Sequence, residues 1–312
     1  MTDNSDWPEI PLAPWQDSCA ALHLFTQIVG KYRLAHTPWV NHSWHATLYV
    51  TADGLTTGLI PDGPGVTVQF DLQRQRLIAS CSNGQSSGFP LEPMSVAAFD
   101  QRFKDTITAL GGSPTYHGFP NELPHATPFA EDTAARPWDA DAVSRFHRAL
   151  VRIDAVFNEF RTGFLGKVSP VHLFWGSFDL AVTRFSGRPA PRHPGGIPNL
   201  PDAVTREAYS HEVSSAGFWP GGGGIDEPCF YSYAYPAPNG FADQPVRPAE
   251  AWFDKNLGEF VLPYEAVRSA PDPRAMLLEF LNSTFAAAER LGDWDKELTC
   301  APGRKGLPRA VG

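Results

Sequence analysis

Apolar and polar residues alternate along several short segments in the first third of the chain. In residues 44–51, every second residue from Trp44 to Val50 is apolar, so these side chains would share one face of a β-strand. The same pattern, or a short apolar run, predicts four strands in all, over residues 44–51, 55–60, 66–72 and 77–81. Asp53-Gly54 is typical of the tight turn between the first two strands.

Apolar residues at helical spacing flank these strands. They predict one helix over residues 18–30 and another over residues 96–110. The second half repeats this order, with predicted helices over residues 146–160 and 277–291 and predicted strands over residues 174–183, 230–235 and 259–262. Leu48–Thr51 and Leu180–Thr183 both read Leu-x-Val-Thr, and this match favours an internal duplication.

These patterns predict an α+β fold made of two tandem units, each consisting of a helix, an antiparallel sheet and a second helix. The predicted organisation is an extended N-terminal segment, a first unit, a proline-rich connector, a second unit and a mobile tail, over residues 1–14, 15–112, 113–139, 140–292 and 293–312. The alternative is one undivided α+β domain whose halves are similar by coincidence.

Residues 185–228 break the similarity between the halves. The first half reverses direction within a few residues at Asp53-Gly54, whereas the corresponding turn of the second half is predicted to be an inserted loop over residues 185–228. The segment is rich in aromatic residues, histidine and paired charges, which is not typical of disorder. Long ordered loops are usually functional, so we expect the functional site here, beside a cleft at the second unit or between the units.

Composition narrows the classes of partner. The chain has 312 residues, of which 42% are hydrophobic, and a net charge of −9. Because it lacks a basic patch, nucleic acid is not expected as a partner. No apolar run is long enough for a membrane span and the first residues do not resemble a signal peptide, so no membrane association is expected. The four cysteines lie far apart, as is typical of reduced thiols in a cytoplasmic protein.

Glu207 and His211 are the first candidates for catalysis. If residues 202–214 form a short helix, these two side chains share a face, and the carboxylate could orient the imidazole as a general base. Together with His193 they could instead form a metal site of two histidines and one carboxylate. The structural alternative is an ion pair that pins the segment to the domain.

Arg184 and Arg188 are the candidates for binding an anion. Arginine binds carboxylate or phosphate through two parallel hydrogen bonds, and both residues lie at the start of the predicted loop. The alternative is that each arginine pairs with a nearby carboxylate, such as Asp179, Glu207 or Glu212.

Asp179 is unusual for a strand residue because its neighbours are aromatic and aliphatic. A carboxyl group in such surroundings can be a catalytic acid with a raised pKa, or the buried partner of an arginine. Tyr209, Trp175 and Trp219 are the remaining candidates for ligand contact. The alternating tyrosines at positions 231, 233 and 235 could stack on a ring, although core packing is the more ordinary role for such a face.

Five blocks of the sequence carry a resemblance to a known family. They read IVGKYRLAHTPWVNHSWHATLYVTADGLTT, FLGKVSPVHLFWGSFDLAVTRFSGR, HPGGIPNLPD, REAYSHEVSSAGFWPG and FYSYAYPAP. They resemble a bacterial family known only as a domain of unknown function, number 5996 in that series, over residues from about Trp7 to about Trp294. The resemblance implies a cytoplasmic protein with a single architecture, and it implies no activity, cofactor or catalytic residue.

Three hypotheses about function follow. The first is an enzyme or small-molecule binder for a polar, anionic ligand held under the 185–228 segment. The second is a non-catalytic protein that docks a protein partner through Phe218 and Trp219. In the third, the segment is a structural clasp between the two units. No particular cofactor is predicted.

Overall fold

The computed structural model describes residues 7–222 and 225–301. Within these residues the helices are α1 (Gln16–His36), α2 (Val96–Ala109), α3 (Ala140–Arg161), α4 (Asp202–Ala208), α5 (Tyr264–Arg268) and α6 (Pro273–Leu291). The strands are β1 (Tyr49–Val50), β2 (Gly54–Ile60), β3 (Val66–Asp71), β4 (Arg76–Cys81), β5 (Ser86–Pro90), β6 (His172–Phe174), β7 (Asp179–Pro189), β8 (His211–Trp219), β9 (Cys229–Tyr235), β10 (Trp252–Asp254) and β11 (Glu259–Pro263). The predicted α+β class is confirmed.

The strands form two antiparallel sheets. The first has the order β1-β2-β3-β4-β5, and the second has the order β10-β11-β9-β8-β7-β6. Alternation in β3 turns Val66, Val68 and Phe70 toward the helices, where all three are buried. The four long helices, α1, α2, α3 and α6, lie where the apolar spacing predicted helices.

Polar side chains cap the starts of α2 and α3. The Ser95 hydroxyl accepts a hydrogen bond from the backbone N–H of Ala98 at the start of α2, and Asp139 caps α3 by accepting from Ala142. Helix α1 starts earlier than predicted, at Gln16, and its N-cap residue Trp15 makes no side-chain capping hydrogen bond.

The predicted single strand over residues 174–183 is instead a hairpin. Strand β6 ends at Phe174, and β7 begins at Asp179 after a turn over residues 175–178. Phe178 takes a positive φ of 60°, a left-handed backbone conformation that is uncommon for a bulky residue. Phe178 is apolar and packs inward although it lies in the turn. The sequence therefore looks like one continuous strand across the turn.

The predicted loop over residues 185–228 is wrong for about half of its length. Strand β7 continues to Pro189, α4 follows at Asp202–Ala208, and β8 occupies His211–Trp219 between β7 and β9. Strand β8 was missed because Ser214, Ser215 and Gly217 interrupt the apolar alternation, and such residues have low strand propensity. Gly223 and Gly224 lie outside the described residues.

The two sheets meet at their edges. Leu48, just before β1, and Leu173 in β6 exchange two backbone hydrogen bonds of 2.9 and 2.8 Å. Both leucine side chains are fully buried, so the cores of the two halves are continuous. The matched Leu-x-Val-Thr segments lie in an edge strand, β1, and in an interior strand, β7, so they do not occupy corresponding places. The internal duplication stays a prediction.

The segments outside the two predicted units also pack. In the connector, the Trp138 indole N–H donates to Gln75 Oε1 at 2.7 Å, and Phe129 is buried. The first residues of the predicted mobile tail are packed too, because Trp294 is buried against Phe164 and Phe285. Residues 302–312 lie outside the described residues. Among the described helices, none is both long and apolar enough to cross a membrane.

Candidate functional site

One face of the second sheet is polar. Cross-strand partners in an antiparallel sheet share a face, and the register pairs Thr183 with Ser215 and Ser215 with Tyr233. We name this surface the tyrosine face and define it by five residues: Asp179, Thr183, Ser215, Tyr231 and Tyr233. Its tyrosine side chains are half-buried and keep some contact with solvent. The opposite face carries the buried residues that pack on α3 and α6.

Asp179 and Tyr231 are joined across the intervening strand β8. The Tyr231 hydroxyl donates a hydrogen bond to Asp179 Oδ2. Its ring lies over Gly217, where a Cβ atom would overlap the phenol. Burial raises the pKa of Asp179 to about 7, and the nearby Glu122 carboxylate contributes to the increase. Asp179 can therefore gain or lose a proton near neutral pH.

A second tyrosine–aspartate pair in the first half shows what makes Asp179 different. Tyr116 donates to Asp100 at 2.7 Å, and Asp100 also accepts from Lys104 at 2.6 Å. Asp179 has no Arg or Lys within ion-pair distance in the part of the chain that the structure describes. The expected arginine partner is absent there, and burial therefore favours the neutral carboxyl.

Further polar groups surround the tyrosine face. The hydroxyls of Tyr209 and Tyr233 lie 2.8 Å apart. Glu259 in β11 is opposite Asp254, and burial, Asp179 and Asp254 raise the pKa of Glu259 to about 7. Burial also raises the pKa of Glu122, whose carboxylate accepts a hydrogen bond from Ser177. Three carboxyl groups with raised pKa values thus lie near this face.

The segment between β7 and α4 covers one end of the face. The His193 ring stacks on Tyr209 with centroids 4.7 Å apart and lies 5.1 Å from the ring of Tyr235. Tyr235 also donates its hydroxyl to the carbonyl of Pro191 at 3.0 Å. His193 Nδ1 accepts from the backbone N–H of Gly195. This histidine therefore helps to hold the covering segment on the tyrosines.

The turn before Asp179 is anchored to the first half of the chain. The Trp175 indole N–H donates to the carbonyl of Ala46 at 2.7 Å, and its ring fills the space beside Gly30 in α1. His23 on the same helix bonds to the carbonyl of Gly176 at 2.9 Å. Trp175 is buried, so its role is to position this turn, and Asp179 with it, against both halves.

Glu207 and His211 do not form the expected pair. Helix α4 ends at Ala208 and His211 begins β8, so the helical spacing that would place both side chains on one face is interrupted. Both Glu207 carboxylate oxygens instead accept from the backbone N–H of His42, at 3.0 and 2.8 Å. His211 Nδ1 lies 3.0 Å from the hydroxyl of Ser210.

His42 links the first half to α4. Its Nδ1–H donates to the carbonyl of Ala208 at 3.1 Å, so Nε2 accepts from Lys167 Nζ at 2.6 Å. The Lys167 ammonium lies over the rings of Trp44 and Phe185, 5.2 and 4.9 Å from their centroids. His42 has a positive φ of 59°, and the Glu207 carboxylate holds its N–H in that conformation. This cluster clasps α4 to the rest of the molecule.

The two arginines expected to hold an anion lie apart and have other partners. Arg184 is 1% exposed and points away from the tyrosine face, with its guanidinium 3.6 Å from the ring centroid of Phe160 and 4.2 Å from that of Phe285. It donates to the carbonyl of Phe160, and burial lowers the pKa of Arg184 to about 9. Arg188 forms an ion pair with Glu212 at 2.8 Å and caps carbonyls at the end of α6.

No metal centre is formed by the three candidate ligands. Within residues 7–222 and 225–301, no group of three or more His, Cys, Asp or Glu side chains could hold a metal ion. His193 stacks on tyrosine, Glu207 binds the backbone of His42, and His211 is bonded to Ser210.

Trp219 ends β8 and is half-buried, whereas the neighbouring Phe218 is fully buried in the core.

An open depression of about 980 Å³ lies elsewhere, on the outer surface of α5 and α6, where its lining includes Pro248, Met276 and Asn282. It is lined by none of the candidate residues.

Sequence reasoning missed Glu122 and Glu259. Glu122 lies in the proline-rich connector and Glu259 at the start of a predicted strand, and neither position has a motif that indicates chemistry. Only the fold brings them within electrostatic range of Asp179.

Comparison with known proteins gives one match. No curated protein and no solved structure matches the chain. The model of a family of unknown function, DUF5996, matches residues 7–300, which is nearly the whole chain. The polar face, the clasp at α4 and the junction of the two halves all lie within that range. The chain therefore belongs to the DUF5996 family of unknown function.

Proposed function

We propose that this protein binds a small polar ligand on the tyrosine face and that Asp179 exchanges a proton with it. The observation that carries the proposal is the state of Asp179: its carboxyl is buried, has no cationic partner among the described residues, and has a pKa raised to about 7. A group with that pKa is present in both protonation states at neutral pH, as a general acid or base requires.

The groups around Asp179 define the ligand that would fit. Tyr231 and Tyr233 offer ring surfaces and hydroxyls, and Glu122 and Glu259 add carboxyl groups. Such a set favours a ligand that donates hydrogen bonds, such as an amine or a polyol. The expected anionic ligand rested on Arg184 and Arg188, which are engaged elsewhere. Identification of the retained molecule as an anion would therefore contradict this choice of ligand.

The alternative is docking of a protein partner through the aromatic segment. Docking through this segment requires Phe218 and Trp219 at the surface, but Phe218 is fully buried and Trp219 is half-buried.

We also infer that the protein acts in the cytoplasm, since its four cysteines are all free.

Native mass spectrometry of the untagged protein, purified without chelators, tests the proposal. We expect a retained small molecule that is lost in Asp179→Asn and in Tyr231→Phe. The matched control is Asp100→Asn, which alters another tyrosine–aspartate pair and should keep the ligand. A ligand retained equally by all variants would place binding elsewhere. Co-purification of a protein partner, with no small molecule retained, would support docking.

A further inference from the structure

Arg33, near the end of α1, is a buried arginine with unbonded donors. It is 8% exposed, and its Nε and Nη1 have no hydrogen-bond partner. Its guanidinium lies 5.2 Å from the ring centroid of Tyr49. Thr37, one turn further along, also has a buried hydroxyl without a partner. Buried donors in proteins are nearly always bonded, so these atoms call for an explanation.

His172 in β6 has the same property. It is 1% exposed, and neither of its ring nitrogens has a partner. Its ring is surrounded by Trp44, Tyr49 and Phe174, with centroid distances of 6.3, 6.3 and 4.7 Å. Tyr49 thus contacts both Arg33 and His172, which places the two unbonded groups around one aromatic ring.

Arg161, the last residue of α3, adds a second guanidinium. Its Nε is buried and unbonded. Burial, together with the charges of Arg33 and Arg161, lowers the pKa of His172 to about 3. Neither arginine forms an ion pair with a carboxylate among the described residues. Two positive charges therefore lie near a buried histidine, with no carboxylate of the described residues within ion-pair distance of either arginine, and such an arrangement is costly.

We propose that Arg33 and His172, with Arg161 within electrostatic range, form a binding site for a small oxyanion at the junction of the two halves. An oxyanion would accept hydrogen bonds from the unbonded guanidinium and imidazole nitrogens and would balance the two charges. The surrounding Trp44, Tyr49 and Phe174 restrict it to a small group, either a free anion such as phosphate or the carboxylate of a small acid. The site shares no residue with the tyrosine face, so it does not depend on the proposed function.

Calorimetric titration of the whole protein with sodium phosphate and, separately, with sodium acetate tests the site. Sodium chloride of the same ionic strength is the reference. We expect saturable binding of one equivalent, and an unfolding midpoint that rises with the logarithm of the anion concentration. Binding of phosphate alone would indicate a phosphate group, and binding of both anions would indicate a general oxyanion site.

Two variants locate the site. Arg33→Gln and His172→Phe should each weaken anion binding at least tenfold. Arg274→Gln is the charge-matched control, because Arg274 is exposed and bound to Glu159, and it should bind like the original protein. Asp179→Asn should also bind the anion normally, which separates this site from the tyrosine face.

A measurement on the unaltered protein guards against variants that fail to fold. Ring nitrogen signals of the ten histidines, labelled with ¹⁵N, should show one histidine that shifts on saturation with phosphate. Unchanged histidine spectra together with no saturable binding of either anion would overturn the proposal. The unbonded atoms would then be satisfied by water.

Discussion

Tyr231 reaches across strand β8 to donate its hydroxyl hydrogen to Asp179 on strand β7. Gly217 makes this contact available, because any side chain at that position would overlap the tyrosine ring. The contact connects three neighbouring strands and places an ionisable carboxyl against a tyrosine hydroxyl. It is also the geometry on which the proposed function depends.

The first prediction concerns Gly217. Gly217→Ala should destabilise the protein by about 1–3 kcal/mol, the usual cost of overpacking a filled space. The same change should displace Tyr231 and so weaken ligand retention. Urea unfolding measures the first effect. Gly118→Ala is the control, since a Cβ there meets no atom within 4 Å, and its unfolding free energy should change little. Equal effects of the two substitutions would contradict the close contact at Gly217.

The second prediction concerns pH. The pKa of Asp179 is about 7 in the folded protein and about 3.9 in an unfolded chain, so the folded state holds the proton more tightly. The stability that protonated Asp179 contributes is therefore present at low pH and is lost as the pH rises from about 4 to about 7. At about 1.4 kcal/mol per pKa unit, the loss is at most about 4 kcal/mol.

Asp179→Asn should remove this part of the pH dependence, because asparagine resembles the neutral carboxyl. The variant should unfold at higher urea concentration than the original protein at pH 8 and at a similar concentration at pH 4. Asp100→Asn, which loses the ion pair with Lys104, should instead be destabilising at pH 8. An unaltered slope in Asp179→Asn would show that Asp179 is ionised throughout this range.

The third prediction separates the two arginines that were expected to bind an anion. Arg184→Ala should be strongly destabilising, by about 3–5 kcal/mol, because it removes a large buried side chain from between Phe160 and Phe285. Arg188→Ala should cost about 1 kcal/mol or less, since its ion pair with Glu212 is exposed. Urea midpoints at pH 7 compare them. Similar costs for both would mean that Arg184 is not held as the structure places it.

The fourth prediction concerns Glu207 and His211. Glu207→Ala should destabilise the protein by about 1–3 kcal/mol, because the buried N–H of His42 loses its acceptor. His211→Ala should have a smaller effect, since its bonded nitrogen is partnered only with Ser210. A double-mutant cycle should give little coupling between the two positions. Strong coupling would restore the carboxylate–imidazole pair expected from the sequence.

The helices and most of the strands were predictable from sequence because their signals are local. The apolar stripes of residues 96–110 and 146–160 follow from the periodicity of the chain. The cap at Asp139 follows from the residue type at the start of the helix. Strand β8 was not predictable in this way. Its residues Ser214, Ser215 and Gly217 lie in a sheet interior because β8 pairs with β7 on one side and β9 on the other. This pairing depends on parts of the chain outside β8.

The surroundings of the candidate residues were predicted in part. Asp179 was identified as an unusual carboxyl in an apolar strand, and the structure buries it without a cation among the described residues. Its role stays a prediction. Glu207 and His211 were paired on the assumption of a continuous helix, and the helix ends before His211. The partner of Glu207, the backbone of His42, is 165 positions away, and no local pattern indicates it.

The sequence by itself determined the α+β class, the positions of the long helices and the family. Those properties follow from periodicity, capping and residue type, which act between close neighbours in the chain. Only the tertiary structure decided which face Arg184 occupies, which group Glu207 binds, and that Asp179 is buried with carboxyls instead of arginine near it. These depend on strand register and on the meeting of the two halves at Leu48 and Leu173, because burial and charge act through space between residues far apart in sequence.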